Sequence, residues 1–439
     1  MRPDPFKLNH WINARKLTPE LLAGRAGAQP AVIRGMLAGE QVADDVVIAV
    51  AAALQVSPAQ LHDAGTHNLT AVWQSASDLR ASRRPIQRDG IHFYNYYTMA
   101  APPGRVAPVI LDILCPADRL PALNNGHLEP AITVNLGPGD INGRWGTELT
   151  PSTWQKITAN RGHDGWITGE SYVEPAYCPH AYSLAGADPA RIVSYTGYAN
   201  LSGLVEELNT WSDPAFDRFA KLAESGLSPD VVAEILLSAR GHDHASAAAA
   251  AGVSQADLNS ALADPVRDNG VLSAVCTAVG LDYRLLLPAG RRQDAVGKTY
   301  QGLEETRSSA RDFLGYRMAS MASAPQLPDL IGLFVQVRGE HGGLMTEPNE
   351  THYLIVGGQV TLEWSDADGR VRSETAGPDG SAWVAPFVSH RWSGDGAVLK
   401  LSSGPHVGLL DLIELTNTYA PSGTLRRSRR DLRGWGYDS

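Results

Sequence analysis

Glu174 and His180 stand six residues apart in GESYVEPAYCPHAYS (169–183), a stretch of strand-forming residues broken by Pro175 and Pro179. A third ligand is offered by His127 in NNGHLEPAITVNLGPGD (124–140), just ahead of an apolar strand. Two imidazoles and one carboxylate, on strands that close on each other, suit Fe(II): they fill one face of an octahedron and leave three positions for substrate and O₂. Zinc with three protein ligands is the competing chemistry. Chance is the competing explanation in a chain of 13 histidines, and Glu129, two residues after His127, is a rival carboxylate. Each imidazole needs an acceptor for its other ring nitrogen.

The elements that must position these groups can be read from a repetition. AGAQPAVIRGML (26–37) aligns without a gap with AGVSQADLNSAL (251–262), and VVIAVAAALQVSPAQL (46–61) with VLSAVCTAVGLDYRLL (271–286). Apolar residues recur at helical spacing in both copies, with Val46, Val50, Ala53 and Leu54 answering Val271, Val275, Ala278 and Val279. Each copy reads as a small helix-turn-helix-like unit with an Ala-Gly pair at the turn. Short runs rich in Val, Ile, Tyr and Thr follow each unit, separated by Gly and Pro, and these predict a sandwich or barrel. The expected fold class is α+β, mainly β, in tandem: helical unit 1 (1–83), β-barrel 1 (84–205), helical unit 2 (206–295) and β-barrel 2 (296–439).

The repetition also compares the chain with itself. Aligning YVEPAYCPH (172–180) with WVAPFVSH (383–390) keeps a histidine, His390, but puts Ala385 opposite Glu174. ARIVSYTG (190–197) aligns with AVLKLSSG (397–404). An acid kept in one copy only points to a job done once, so barrel 2 is expected to hold no metal. Glu347, Glu350 and His352 lie near the matching strand, where the alignment slips.

Composition sets the remaining bounds. The 439 residues carry a formal net charge of −10, which argues against general affinity for nucleic acid or anionic membrane. Cys115, Cys178 and Cys276 are odd in number and far apart, so no disulfide framework is implied. MRPDPFKLNHW carries no apolar signal core, and no run approaches a membrane span of about 18 residues. A cytoplasmic protein is expected.

SRRPIQRDGIHFYNYYT (82–98), ILCPADRLPALNNGHLEPAITVNLGPGDINGRWG (113–146) and YVEPAYCPHAYSLAG (172–186) strongly resemble the 2-hydroxyethylphosphonate dioxygenases. These are tandem cupin enzymes of phosphonate natural-product (antibiotic) biosynthesis. The resemblance runs from DPFKLNHWINARK (4–16) to TLRRSRRDLRGWGYDS (424–439). It implies cupin barrels and a mononuclear non-haem Fe(II) site at His127, Glu174 and His180. The implied reaction splits the C1–C2 bond of 2-hydroxyethylphosphonate with O₂ as co-substrate, without 2-oxoglutarate, giving hydroxymethylphosphonate and formate.

A phosphonate needs convergent donors, at least one of them charged. Arg88 opens the YNYY segment with Tyr96 on the same face by parity, Asn124 precedes His127 by three residues, and Ser194 lies on the ARIVSYT strand. These positions match the family's phosphonate-contacting residues, as does Lys16, which must reach across a domain or subunit boundary, as in a homo-oligomer. On residue type alone Lys16 reads as an exposed helix lysine. Tyr94 and Tyr97 read as barrel-wall aromatics.

Methylphosphonate synthase shares this substrate and scaffold, and that branch often has Gln where this chain has Glu174; the acid favours the dioxygenase. The rival of another class is a helix-turn-helix–cupin transcription regulator that senses a small ligand. Its reading helix, QPAVIRGMLAGEQVADD (29–45), offers Gln29, Arg34 and Gln41 but ends acidic at Glu40, Asp44 and Asp45. GPGD (137–140) and His242-Asp243-His244 read as turns, and LRRSRRDLR (425–433) as a surface or subunit-contact segment.

Overall fold

The structure is a computed structural model that describes residues 2–62, 68–88, 90–119, 122–150, 153–199, 201–224, 228–287, 294–339, 342–404 and 409–430. No helix among them is long and apolar enough to cross a membrane.

Both helical units form where their caps dictate. Asp4 accepts from the backbone N–H groups of Phe6 and Lys7 to start the helix Pro5–Ala14, and Thr18 caps Pro19–Ala26, which ends at Gly27 in the left-handed region. Proline at the first helical position has no N–H to leave unpaired, and Gly27 takes the positive φ without a Cβ penalty. Ser228 caps Pro229–Ser238, Asp243 caps His244–Ala250 and Ser254 caps Gln255–Ala263 in the second unit. Leu8, Leu22, Ile33, Val47, Val50 and Leu54 fill the first core; Leu237, Leu258, Leu262, Leu272 and Val275 fill the second. The helices Leu201–Leu208 and Asp213–Glu224 follow barrel 1, as Leu409–Thr416 and Pro421–Arg430 follow barrel 2.

The strands, in chain order, are β1 (Ala71–Gln74), β2 (Arg84–Arg88), β3 (Ile91–Thr98), β4 (Val109–Ile113), β5 (Ala131–Pro138), β6 (Ile141–Trp145), β7 (Trp154–Ile157), β8 (Ser171–Glu174), β9 (His180–Leu184), β10 (Ala190–Thr196), β11 (Thr299–Gln301), β12 (Arg311–Phe313), β13 (Tyr316–Ser320), β14 (Ile331–Val337), β15 (Glu350–Ser365), β16 (Val371–Ala376), β17 (Ser381–Val384) and β18 (His390–Ser403). Barrel 1 is the sheet β11-β8-β5-β10-β4-β3-β2 closed against the small sheet β7-β6-β9. In barrel 2 the order β1-β17-β15-β18-β14-β13-β12 repeats it, with β15 and β18 long enough to serve both layers.

The sheets exchange edges across the expected seams near 83 and 296. β1 precedes barrel 1 yet pairs with β17 of barrel 2, while β11 enters the second half yet pairs with β8 of barrel 1. Both strands were too short to show a period-2 pattern. Matching side chains lock them: Gln74 Nε2 donates to Thr98 O at 3.0 Å, and Gln301 Nε2 donates to Ser320 O at 2.6 Å. Ser381 Oγ and Ser171 Oγ accept from the backbone of Ala100 and Ala322. Between the barrels lies a shared apolar layer containing Ile132, Val134, Val193 and Tyr195 on one side and Phe334, Leu354, Leu399 and Leu401 on the other.

Strand register corrects the alignment of the two copies. β8 and β17 end at Glu174 and Val384, and each is followed by the same turn, with a left-handed residue (Tyr177, Phe387) before His180 and His390. The residue opposite Glu174 is therefore Val384, not Ala385. The acid is still lost, and the one-residue slip came from placing a gap in a turn whose length is unchanged. Ser194 pairs with Thr133 as Lys400 pairs with Tyr353, so Lys400 occupies the place of Ser194.

Candidate metal centre

β8 and β9 bring Glu174 and His180 to one end of barrel 1, and the loop before β5 adds His127. Gly126 permits that approach: it has φ +73°, and a Cβ there would lie 2.5 Å from the Tyr177 carbonyl carbon. The backbone N–H of Tyr177 donates to His127 O at 2.6 Å, stitching the two loops together. Ligand atoms of His127, Glu174 and His180 all fall within 4.8 Å of one another, close to the span that one ion sets with bonds of about 2.0–2.2 Å. Among the described residues this is the one such His/Cys/Asp/Glu cluster. The rival Glu129 is a second-layer partner instead: its backbone carbonyl accepts from His127 Nδ1 at 2.5 Å.

The tautomers follow from the neighbours. His127 Nδ1 must be protonated to reach a carbonyl, which leaves its Nε2 lone pair facing Glu174 Oε1 at 3.6 Å. His180 Nδ1 has two acceptors, Cys178 O at 3.0 Å and Glu174 Oε1 at 3.4 Å, so its lone pair also sits on Nε2. These carbonyls are the acceptors that ligating imidazoles require. Trp145 Nε1 donates to Glu174 Oε2 at 3.0 Å, leaving Oε1 turned to the two imidazoles. Glu174 is 1% exposed while the His127 side chain is 32% exposed, so the site opens on the His127 side. Burial pushes the Glu174 carboxyl up to about 7 against the pull of His127, the indole N–H and the Lys298 ammonium. A divalent ion there replaces the missing solvation, so the donor set fits the metal.

Of the phosphonate candidates, Asn124 contacts a residue of this centre, while Ser194 and Tyr96 stand on strands of the same barrel. Asn124 Oδ1 accepts from the His180 backbone N–H at 3.0 Å, and its Nδ2 is 2.9 Å from His180 Nε2. Ser194 faces the barrel interior and accepts from Thr133 Oγ1 at 3.0 Å. Tyr96 stacks on Tyr94 with ring centroids 6.0 Å apart. The backbone of Arg88 closes β2 opposite Ile91, and its side chain lies outside the described atoms. Lys16 is exposed, in the left-handed turn after the helix Pro5–Ala14, in a unit with its own core. Tyr94 is a wall brace: its hydroxyl donates to Tyr182 O and accepts from Tyr182 N–H, as Tyr316 does with Trp392.

Trp145, the donor to Glu174, is not marked by any motif, although Trp364 repeats it in barrel 2: Trp145 pairs with His180 as Trp364 pairs with His390. Nor does any motif mark Lys298, 2% exposed, whose Nζ lies 4.7 Å from the Trp145 ring. GPGD forms the β5–β6 turn, braced by Asn135, and Asp243 caps a helix. Arg34 of the rival reading helix is ion-paired to Glu20. LRRSRRDLR begins in the helix Pro421–Arg430; its side chains from residue 427 and its backbone from 431 lie outside the described residues.

Known proteins place this architecture. Residues 80–197 match the model of the 2-hydroxyethylphosphonate dioxygenase cupin-like domain. The full chain is 56% identical over 444 residues to 2-hydroxyethylphosphonate dioxygenase of Streptomyces viridochromogenes, covering all of both chains. The chain belongs to the 2-hydroxyethylphosphonate dioxygenase family. A solved variant of 2-hydroxyethylphosphonate dioxygenase superposes with a TM-score of 0.86 at 55% identity, over 97% of this chain and 100% of that one. PhpD with cadmium, complexed with hydroxyethylphosphonate, superposes at 0.84 and 54% identity, over 98% and 100%. Members of the dioxygenase family thus share both barrels and both helical units with this chain.

Proposed function

We propose that this chain is a non-haem iron dioxygenase that cleaves 2-hydroxyethylphosphonate to hydroxymethylphosphonate and formate. The observation that carries the reading is the convergence of His127, Glu174 and His180, with both Nδ1–H groups tied to backbone carbonyls and one carboxylate oxygen turned inward. Two imidazoles and a carboxylate select Fe(II) and leave coordination positions open for the phosphonate and for O₂. When bound, the iron supplies O₂ activation and a template for the substrate. One substrate and one O₂ balance the two products in atoms and electrons, so no 2-oxoglutarate or other reductant is required.

The chain's own residues bind and orient. Arg88, Asn124, Tyr96 and Ser194 offer donors to the phosphonate oxygens, and Lys16 reaches the anion across a domain or subunit boundary. Asn124 does this while gripping the His180 backbone, so substrate and ligand positions are coupled. The apolar wall of Leu111, Ile192, Tyr94 and Tyr182 keeps water from the reacting carbons. The carboxylate at 174 favours this outcome over methylphosphonate synthesis. The test is anaerobic reconstitution with Fe(II), addition of 2-hydroxyethylphosphonate and O₂, and phosphorus and carbon NMR of the products. Hydroxymethylphosphonate with formate is expected; methylphosphonate would reassign the chain.

A further inference from the structure

Lys298 is a buried ammonium that is neither a candidate metal ligand nor a candidate phosphonate contact. It lies in the segment that enters the second half of the chain, yet β11 pairs with β8 so that Thr299 faces Val173, and the next position, Lys298, stands against Glu174. Its side chain is 2% exposed. Nζ donates to Gln155 Oε1 at 2.8 Å, pairs with Asp294 Oδ2 at 2.8 Å, and sits 4.7 Å from the Trp145 ring centroid and 5.8 Å from that of Tyr300. The surrounding segment is pressed onto the same spot: a Cβ on Gly146 would lie 2.9 Å from Val296 Cγ1, and one on Gly297 would lie 3.4 Å from Pro175. Burying an ammonium costs free energy unless partners replace its water, so a barrel that only needed an edge strand would not place one there.

Barrel 2 supplies the control within the same molecule. There Trp364 keeps the place of Trp145, pairing with His390 as Trp145 pairs with His180. Trp73 stands opposite Ala382 where Tyr300 stands opposite Tyr172. Yet Ala71 faces Val384 where Lys298 meets Glu174. The indole and its aromatic neighbour persist without the ammonium, so the fold does not need the charge. Acid and ammonium are absent together.

We propose that Lys298 is a positioning residue for the metal centre, acting through the Trp145 indole to hold Glu174 as a one-oxygen ligand aimed at the two imidazoles. A cation on the face of an indole draws electron density toward itself and makes the Nε1–H a stronger donor. That donor holds Oε2 at 3.0 Å and leaves Oε1 for the metal. The second half of the chain thereby contributes to a site built in the first. This inference rests on the reading of Glu174 as a ligand.

The test uses the full-length protein and Co(II) as the probe, measuring dissociation constant, visible spectrum, and the separate KM and kcat of the Fe(II) form. Lys298→Met is expected to weaken Co(II) binding about tenfold or more, as loss of an outer partner does, and to shift the Co(II) absorption bands. It should lower kcat and leave KM for 2-hydroxyethylphosphonate unchanged. Trp145→Phe should do the same, Lys298→Arg should recover most of the loss, and Lys298→Met combined with Trp145→Phe should be no worse than Trp145→Phe alone, because the two act in series. Native Co(II) affinity and spectrum in Lys298→Met, or losses that add in the double variant, overturn the proposal. Should Lys298→Met fail to fold, Trp145→Phe and Lys298→Gln carry the same readouts. Glu174→Ala separates the two levels: if it keeps Co(II), the ligand reading itself fails, whereas if it loses Co(II) while Lys298→Met does not, only the role of Lys298 falls.

Discussion

Barrel 1 and barrel 2 share strand order, a tyrosine brace and a histidine with the same backbone partner, but their centres solve opposite problems. In barrel 1 a carboxylate, two imidazoles and a serine line a space that needs a cation. In barrel 2 the corresponding positions hold Val384, Glu347, His390 and Lys400: Phe387 N–H donates to Glu347 O as Tyr177 N–H donates to His127 O. Lys400 Nζ lies 2.6 Å from Glu347 Oε1, and the Tyr353 hydroxyl lies 2.7 Å from His390 Nε2. An ammonium on the barrel wall neutralises the acid there, the role that a bound cation would take among His127, Glu174 and His180. His390 still donates Nδ1–H to the Val388 carbonyl, the trace of a ligand's outer bond. The second centre thus differs from the first by an added charge as well as by a missing acid.

The comparison breaks first at Glu174. Glu174→Ala should abolish turnover along with tight iron binding, as metal analysis and an NMR product assay will show; one retained iron with full turnover removes Glu174 from the set. Lys400→Met takes the buried ammonium away from the half-buried Glu347 and should cost about 1–3 kcal/mol in urea unfolding, with iron content unchanged. A loss of iron in that variant would mean that the centres are coupled. Arg88→Ala should raise KM by about 10- to 100-fold, the worth of a charge-assisted contact of about 1.5–3 kcal/mol, and leave the fold intact. An unmoved KM places the anion pocket elsewhere.

Smaller effects sharpen the contrast. Because burial holds the Glu174 carboxyl up near 7, the metal-free site carries a proton there below that pH, which the metal must displace. Metal affinity should fall by up to about tenfold per pH unit below about 7 and level off above it, and the slope from Glu174 should vanish in Glu174→Gln. His390→Ala should change neither metal content nor turnover; loss of both would give barrel 2 a role in the chemistry.

Much of this architecture was legible in the residues. The helical repeat was visible because its apolar positions keep one spacing in both copies, and the strands because Val, Ile and Tyr cluster between glycines and prolines. His127, Glu174 and His180 could be paired because a lost acid in the second copy marked the kept one. What escaped was what depends on register and exchange. Ala385 stood in for Val384 because sequence shows a turn's residues and not its length in space. Lys298 and Trp145 were invisible as site residues because a three-residue edge strand from the other half, with no periodicity of its own, delivers the ammonium.

The most direct measurement is a crystal of the full chain grown anaerobically with Fe(II), with anomalous scattering recorded at the iron edge. One peak per chain is expected, bonded to His127, Glu174 and His180, with Trp145 on the far oxygen of Glu174 and the Lys400–Glu347 pair intact. An empty first barrel, or iron between Glu347 and His390 in the second, would contradict it.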